Sequence, residues 1–267
     1  MIPSSIKDLI NLERIKNITS SEYNSSNPFP HIVIDNFLKY EIAKEINAQF
    51  PKVEDEIWYE YSNPIEKKFA SDDVRKFPPI IAQTLHFLNS ESFLKELTRM
   101  TGIENLFSDP YFHGGGLHLI KTGGKLDMHL DYSIHPKLNL ERRMNLILYM
   151  VDEDFKEEWG GELELWKGDY NEEKDEYTLT TLEKKVYPKF NRAILFNTND
   201  ISFHGHPNPL NAPEGVFRKS LALYYLTEPQ SNANKRPRAR FIARPFDDKS
   251  EEIEDFRKKR SSVKNVY

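Results

Sequence analysis

The tripeptide His129-Leu130-Asp131 places an imidazole and a carboxylate two residues apart, just after the turn Gly123-Gly124. In an extended chain, residues i and i+2 project to the same side. His129 and Asp131 can therefore direct one nitrogen and one oxygen at a single point, as a metal site requires. A His–Asp hydrogen bond at the surface is the alternative, and this pair alone does not decide between the two.

A third donor is available in the later segment 202–207, which contains His204 and His206. The distance along the chain leaves room for several strands between Asp131 and this segment. Two histidines and one carboxylate on one face of an ion leave three octahedral positions open, as in non-haem Fe(II) sites. The residues thus suggest a metal that keeps open positions for reactants, with either histidine as the distal ligand.

An arginine and a serine follow in the segment "RKS", where Arg218 and Ser220 are two residues apart. A guanidinium can hold a carboxylate through two parallel hydrogen bonds, and a serine hydroxyl on the same face can add a third. A surface salt bridge is the alternative for Arg218. The spacing therefore indicates a carboxylate-binding face on one strand.

Alternation along the segment 143–150 produces two different faces. The apolar face comprises Met144, Leu146, Leu148 and Met150. The other face carries Asn145, Ile147 and Tyr149. If this second face points into the protein, the Tyr149 hydroxyl can reach the same carboxylate as Arg218. A core tyrosine with a satisfied hydroxyl is the alternative.

Short strands must position these side chains, because the region between 115 and 228 lacks long helical periods. The strand-like segments are 114–125, 143–150, 161–166, 192–197 and 217–226. We predict a mainly β fold with flanking helices, built on a jelly-roll, or double-stranded β-helix, core. An N-terminal mixed α/β support region, 1–110, precedes the core at 111–228, and a charged C-terminal extension, 229–267, follows it.

Composition excludes several other chemistries. The 267 residues include no cysteine, which rules out disulfides, Cys-ligated zinc, iron–sulfur clusters and thiol catalysis. The net charge of −5 disfavours nucleic acid as a partner, and we expect the basic cluster near Arg236 to pack on its own domain. No apolar run approaches the ~20 residues of a membrane span. With no signal peptide evident, we expect a cytoplasmic protein.

The motifs as a set resemble the Fe(II)- and 2-oxoglutarate-dependent dioxygenase superfamily, and within it the prolyl 4-hydroxylase-like branch. The resemblance covers about residues 115–228. It rests on "HLD", "RRMNLILYM", "WGGELELW", "RAILFNTNDISFHGHP" and "RKSLALYYLTE". In "WGGELELW", Gly160 and Gly161 form the turn before a strand. The insert 167–185 has no role that the resemblance assigns.

The resemblance implies that iron is held by His129, Asp131 and a distal histidine. We prefer His204 to His206 because it follows the family-like approach "FNTNDISFH". The resemblance also implies that 2-oxoglutarate chelates the iron and that its far carboxylate pairs with Arg218, assisted by Tyr149 and Ser220. Asn145, on the face of Tyr149, is a further candidate for the cosubstrate pocket.

The implied activity is hydroxylation of an unactivated C–H bond, with O2 consumed and succinate and CO2 released. A prolyl group in a peptide or protein is the leading substrate by family analogy, and ascorbate is a candidate reductant. Hydroxylation of a free amino acid or another small molecule remains open. A metal-dependent jelly-roll isomerase or lyase and a non-catalytic binding module are the alternatives from other classes. The oligomeric state is not readable from the sequence.

Overall fold

The computed structural model describes residues 5–171, 173–231 and 235–262. The predicted N-terminal region, the insert and the C-terminal extension each include positions outside these ranges. The helices of the described residues are α1 Ile6–Leu9, α2 Leu12–Ile15, α3 Ser20–Asn24, α4 Tyr40–Ala48, α5 Pro79–Leu88, α6 Glu91–Thr101 and α7 Glu251–Ser261. Among these helices, none is both long and apolar enough to cross a membrane.

The strands pair into an antiparallel sheet that curls over itself. They are β1 His31–Ile34, β2 Tyr59–Asn63, β3 Glu66–Ser71, β4 Phe107–Ser108, β5 Gly116–Ile120, β6 Lys125–Leu130, β7 Glu141–Tyr149, β8 Leu163–Asn171, β9 Glu176–Val186, β10 Arg192–Asn197, β11 Phe203–His206, β12 Arg218–Thr227 and β13 Arg240–Phe241. Their main order is β1-β10-β7-β12-β5-β3-β6-β11-β8-β9.

Strand β3 joins two layers of this sheet, because its later residues pair with β5 and its first residues pair with β6. The first layer contains β1, β10, β7, β12 and β5, and the second contains β6, β11, β8 and β9. An apolar cluster with Tyr149, Leu165 and Phe196 fills part of the space between the layers. The predicted mainly β, jelly-roll fold is confirmed.

The helices of the N-terminal region cover the outer face of the first layer. Leu146 and Leu148 of β7 and Leu221 of β12 pack there in the largest apolar cluster, together with residues of α4, α5 and α6. The Ser90 hydroxyl accepts a hydrogen bond from the Phe93 amide and caps α6, as expected of a serine at that position. The alternation predicted for 143–150 is therefore observed, with Tyr149 on the inner face.

Three features were not predicted. Residues 59–71 form the hairpin β2–β3, and most of the insert 167–185 extends the hairpin β8–β9. Part of the charged C-terminal extension also adds strand β13 to the edge of β6 and forms helix α7. The extension packs on its own chain as expected, but with regular structure. The division of the chain at 110 and 228 stays a prediction.

Candidate active site

Two histidines face each other across neighbouring strands of the second layer. His129 of β6 is the direct register partner of His204 of β11, so both side chains leave the sheet on the same side. Their ring centroids lie 4.4 Å apart. Met128 and Leu130, which flank His129, instead pack on the outer face of this layer with Phe203. Alternation along β6 thus directs His129 into the space between the layers.

Each ring is oriented by a carbonyl two residues earlier in the chain. Nδ1 of His129 lies 2.9 Å from the Asp127 carbonyl oxygen, and Nδ1 of His204 lies 2.8 Å from that of Ser202. With Nδ1–H donating to the carbonyl, Nε2 of each ring keeps its lone pair for a ligand. Burial, with a further contribution from His204, lowers the pKa of His129 to about 4, which keeps this imidazole neutral near pH 7.

Asp131 completes the group from the residue just beyond β6. Its Oδ1 lies 3.8 Å from Nε2 of His129, and its Oδ2 lies 3.6 Å from Nε2 of His204. Burial raises the pKa of Asp131, but the two histidines and the Arg142 guanidinium outweigh burial, so the pKa is lowered overall and the carboxylate is ionised. Tyr224 donates to Oδ1 at 3.1 Å and Asn145 to Oδ2 at 3.4 Å.

The donor atoms of His129, Asp131 and His204 all lie within 4.8 Å of one another. Among the residues that the structure describes, this is the only such group of histidine, aspartate and glutamate side chains. His206 is buried too, but it stands outside the group. Two imidazoles and one carboxylate match the donor set of a non-haem Fe(II) site. The geometry thus favours His204 over His206, while the ligand roles stay predictions.

Arg218 lies at the start of β12 on the same inner face. Its side chain is 3% exposed. Its Nε donates to the Gly161 carbonyl oxygen at 2.7 Å, and Nη2 donates to the Tyr149 hydroxyl at 3.2 Å. No carboxylate of the described residues lies within ion-pair distance of this guanidinium. Burial lowers the pKa of Arg218. A buried cation without a counter-charge is costly, and an anionic ligand would remove that cost.

Several buried polar atoms around Arg218 and Asp131 have no hydrogen-bond partner among the described residues. They are Oγ of Ser220, Oδ1 of Asn145 and Nδ1 of His206. Unsatisfied buried atoms are rare in folded proteins, and each can bind a ligand or a water molecule. The Ser220 hydroxyl, with Arg218 and Tyr149, can donate to the carboxylate of an anionic cosubstrate such as 2-oxoglutarate. The predicted roles of Ser220, Asn145 and Tyr149 in binding it stay predictions.

Gly161 holds Arg218 in place through its backbone and leaves room for the arginine. Its φ of +77° lies in the left-handed region, and a Cβ there would lie 3.0 Å from Cδ of Arg218 and 3.1 Å from Cδ1 of Leu210. Gly160 has a similar φ of +80°, but a Cβ there would approach only Oε2 of Glu162, at 3.6 Å. The two glycines therefore share the backbone requirement and differ in the space beside Arg218.

We expect Gly161→Ala to weaken 2-oxoglutarate binding by about tenfold, the ~1.4 kcal/mol of one disturbed charge-assisted hydrogen bond. Gly160→Ala should also lose stability from backbone strain, about 1–3 kcal/mol, without this loss of affinity. Titration of 2-oxoglutarate and thermal unfolding of both variants measure the two effects. Equal affinities in the two variants would contradict a packing role for Gly161.

The sequence did not single out Arg142, Tyr224 or His118, which also surround the group. The Arg142 guanidinium lies between the rings of Tyr132 and Tyr224, 3.3 Å from each centroid, and its Nη1 is 4.0 Å from Oδ1 of Asp131. His118 of β5 is the register partner of Ser220, and burial, with Lys68 and Arg218 nearby, lowers its pKa well below the usual value. Strand alternation could have predicted that His118 and Tyr224 face the space between the layers.

Comparison with known proteins places this geometry in context. Residues 115–226 match the family described as the 2OG-Fe(II) oxygenase superfamily. No curated protein matches the chain. Among solved structures, the fold is similar to a prolyl hydroxylase from Trichoplax adhaerens in complex with a peptide fragment of the hypoxia-inducible factor oxygen degradation domain. That match has a TM-score of 0.54 at 18% identity, covering 80% of this chain and 90% of the other.

Two further solved structures share the fold. One is from a study of prolyl 4-hydroxylases from Phytophthora capsici, with a TM-score of 0.51 at 19% identity over 98% of this chain and 79% of the other. The second is SnoN, a non-haem α-ketoglutarate-dependent epimerase from nogalamycin biosynthesis, with a TM-score of 0.51 at 11% identity over 87% of this chain and 95% of the other. At these identities the likeness is one of fold.

Proposed function

We propose that this chain hydroxylates a prolyl group in a peptide or protein, because residues 115–226 match the 2OG-Fe(II) oxygenase superfamily. The predicted dioxygenase class, with Fe(II), 2-oxoglutarate and O2, is confirmed by that family match. The substrate is the part that we propose. The single observation that supports a 2-oxoglutarate enzyme best is the buried Arg218 guanidinium, which has no carboxylate partner among the described residues.

Bound iron and 2-oxoglutarate would supply the oxidation, in which one atom of O2 enters succinate and the other enters the substrate C–H bond, with loss of CO2. His129, Asp131 and His204 would hold the metal through two Nε2 atoms and one carboxylate oxygen. Arg218 and the Tyr149 hydroxyl would bind the far carboxylate of the cosubstrate. The carbonyls of Asp127 and Ser202 orient the histidine rings, so the protein contributes mainly orientation.

A prolyl substrate is supported by the fold and by the lining of the site around Arg142. Two of the structural neighbours are prolyl hydroxylases, and one of them holds a peptide. Fold similarity is a weak guide to substrate. The buried Arg142, held between Tyr132 and Tyr224 beside Asp131, gives the side of the site away from Arg218 a cationic and aromatic lining. Such a lining suits a peptide carbonyl and a prolyl ring.

A small-molecule substrate is the second candidate, favoured by the similarity of the fold to the epimerase SnoN. Hydroxylation of a free amino acid belongs to this second candidate. The use of ascorbate, a cytoplasmic location and the oligomeric state stay predictions or open questions.

The test incubates the protein with Fe(II), ascorbate, 2-oxoglutarate and a panel of prolyl peptides and free amino acids. We expect succinate release that depends on a peptide and a mass increase of one oxygen on its prolyl residue. A mass increase confined to a free amino acid would overturn the peptide assignment. Absence of 2-oxoglutarate turnover and of 2-oxoglutarate binding would overturn the oxygenase assignment itself.

A further inference from the structure

The end of the described chain lies along the strand that carries His129. β13 pairs with β6 so that Phe241 is the register partner of His129 and Arg240 that of Leu130. The Ile242 amide donates to the Met128 carbonyl oxygen at 2.9 Å. On its other side, the same stretch of β6 pairs with β11. The main chain at His129 is therefore held between two strands, one of which lies beyond the family-matched segment.

Arg257 of α7 reaches the residue that orients the His129 ring. Its Nη2 donates to Oδ2 of Asp127 at 3.2 Å, and the two side chains are 4% and 5% exposed. The Asp127 main-chain carbonyl is the acceptor for Nδ1 of His129. Arg257 is itself held by Glu254 at 2.7 Å and by the Asp248 carbonyl at 3.0 Å. A buried ion pair thus connects α7 to the backbone that fixes one imidazole.

A second arginine of the C-terminal extension, Arg236, contacts the main chain of the other candidate ligand, Asp131. Nε of Arg236 donates to the Asp131 carbonyl oxygen at 3.3 Å. The Arg236 amide donates to Oγ of Ser133 at 2.7 Å, and the Ser133 amide donates to the Arg236 carbonyl oxygen at 2.8 Å. These hydrogen bonds attach the C-terminal extension to Ser133, two residues after Asp131. The segment therefore contacts the His129–Asp131 stretch at both ends.

We propose that residues 235–262 form a positioning element for the metal site, acting on His129 through the Arg257–Asp127 ion pair and on Asp131 through Arg236. This inference rests on the proposed metal site. Groups that orient a ligand typically contribute 10–100-fold to metal affinity. Asp127 has a second cation, because Nζ of Lys125 lies 2.7 Å from its Oδ1. Without Arg257, Oδ2 loses its charged partner and the carboxylate is drawn toward Lys125. We expect this shift to disturb the Asp127 carbonyl that accepts from Nδ1 of His129.

The test measures the Kd for Co(II), used in place of Fe(II), and its visible absorption spectrum in the full chain. We expect Arg257→Gln to raise the Kd by about tenfold and to change the spectrum, which reports ligand geometry. Arg257→Lys should restore part of the affinity. Lys259→Gln is the matched control, because Lys259 is on the same helix and pairs with Asp255 in an exposed ion pair. It should change neither quantity.

Asp127→Asn and the double variant with Arg257→Gln separate positioning from general stability. If Arg257 acts through Asp127, the double variant should bind Co(II) no more weakly than the weaker single variant. Additive losses, or an unchanged Kd in folded Arg257→Gln, overturn the inference. His204→Ala serves as the reference. If it abolishes Co(II) binding while Arg257→Gln does not change the Kd, the positioning role fails and the site stands. If neither changes the Kd, the proposed site fails as well.

Discussion

Replacement of His204 by alanine is expected to abolish turnover and to weaken metal binding by more than the roughly 10–100-fold that an outer partner contributes. The physical reason is that Nε2 of His204 is one of the three donor atoms that converge within 4.8 Å. The adjacent candidate, His206, is equally buried on the same strand but stands outside that group. His206→Ala should therefore keep a metal Kd close to that of the parent protein.

Metal content after dialysis, together with Co(II) titration, measures both variants. Circular dichroism and thermal unfolding provide the control for folding, since each substitution opens space in a buried region. If His206→Ala loses the metal and His204→Ala retains it, the distal ligand is His206. If both retain it, the three-residue group is not a metal site. The same titration on Asp131→Ala extends the test to the carboxylate.

Arg218→Ala should raise the Kd for 2-oxoglutarate at least about tenfold. Hydrogen bonds to charged groups contribute roughly 1.5–3 kcal/mol each, and ~1.4 kcal/mol is a factor of ten. The Kd for the metal should change little, because the guanidinium is not a donor. Arg218→Lys should restore affinity only in part, since lysine keeps the charge but loses the planar fork. Anaerobic titration of the Fe(II) protein, followed by the absorbance of the chelate, gives the Kd.

Lys219→Ala is the matched control for Arg218→Ala. Lys219 is the next residue of β12, points to the other face and pairs with Asp152 at 2.7 Å. We expect this variant to bind 2-oxoglutarate like the parent protein. An unchanged Kd in Arg218→Ala, with the fold intact, would mean that the buried guanidinium has a structural role. The oxygenase proposal would then lose its main support from the site.

The residues that sequence reasoning found obey simple strand alternation. His129 and Asp131 are two apart, as are Arg218 and Ser220, and each pair shares a face. Alternation separates Tyr149 from the apolar residues of β7 but leaves open which face points inward. The apolar residues pack against the helices, so Tyr149 faces inward. The same rule extended along β12 from Arg218 would have reached Tyr224, which bonds Asp131.

The position of Arg142 beside Asp131 could not be predicted from the sequence, for a physical reason. Pairing between β7 and β12 shifts there, so that Tyr225 opposes Met144 but Leu226 opposes Arg142. The extra residue, Arg143, is a β-bulge, and a bulge reverses which face the following side chains occupy. Regular alternation would have assigned Arg142 to the helix-covered face. The contact of α7 with β6 could not be predicted from the sequence either, because Arg257 and Asp127 are far apart along the chain.

Strand β9, formed by the second half of the unassigned insert, has a consequence for how copies of this protein meet in solution. It ends the strand order, so its outer backbone groups are open to pairing with another chain, as far as the described residues show. Its pairing with β8 contains two irregularities in register, and Lys184 and Lys185 stand near its end. A twisted, charged border of this kind resists edge-to-edge stacking into fibrils. The two register shifts and the lysines therefore limit the edge-to-edge pairing that this open strand would otherwise allow.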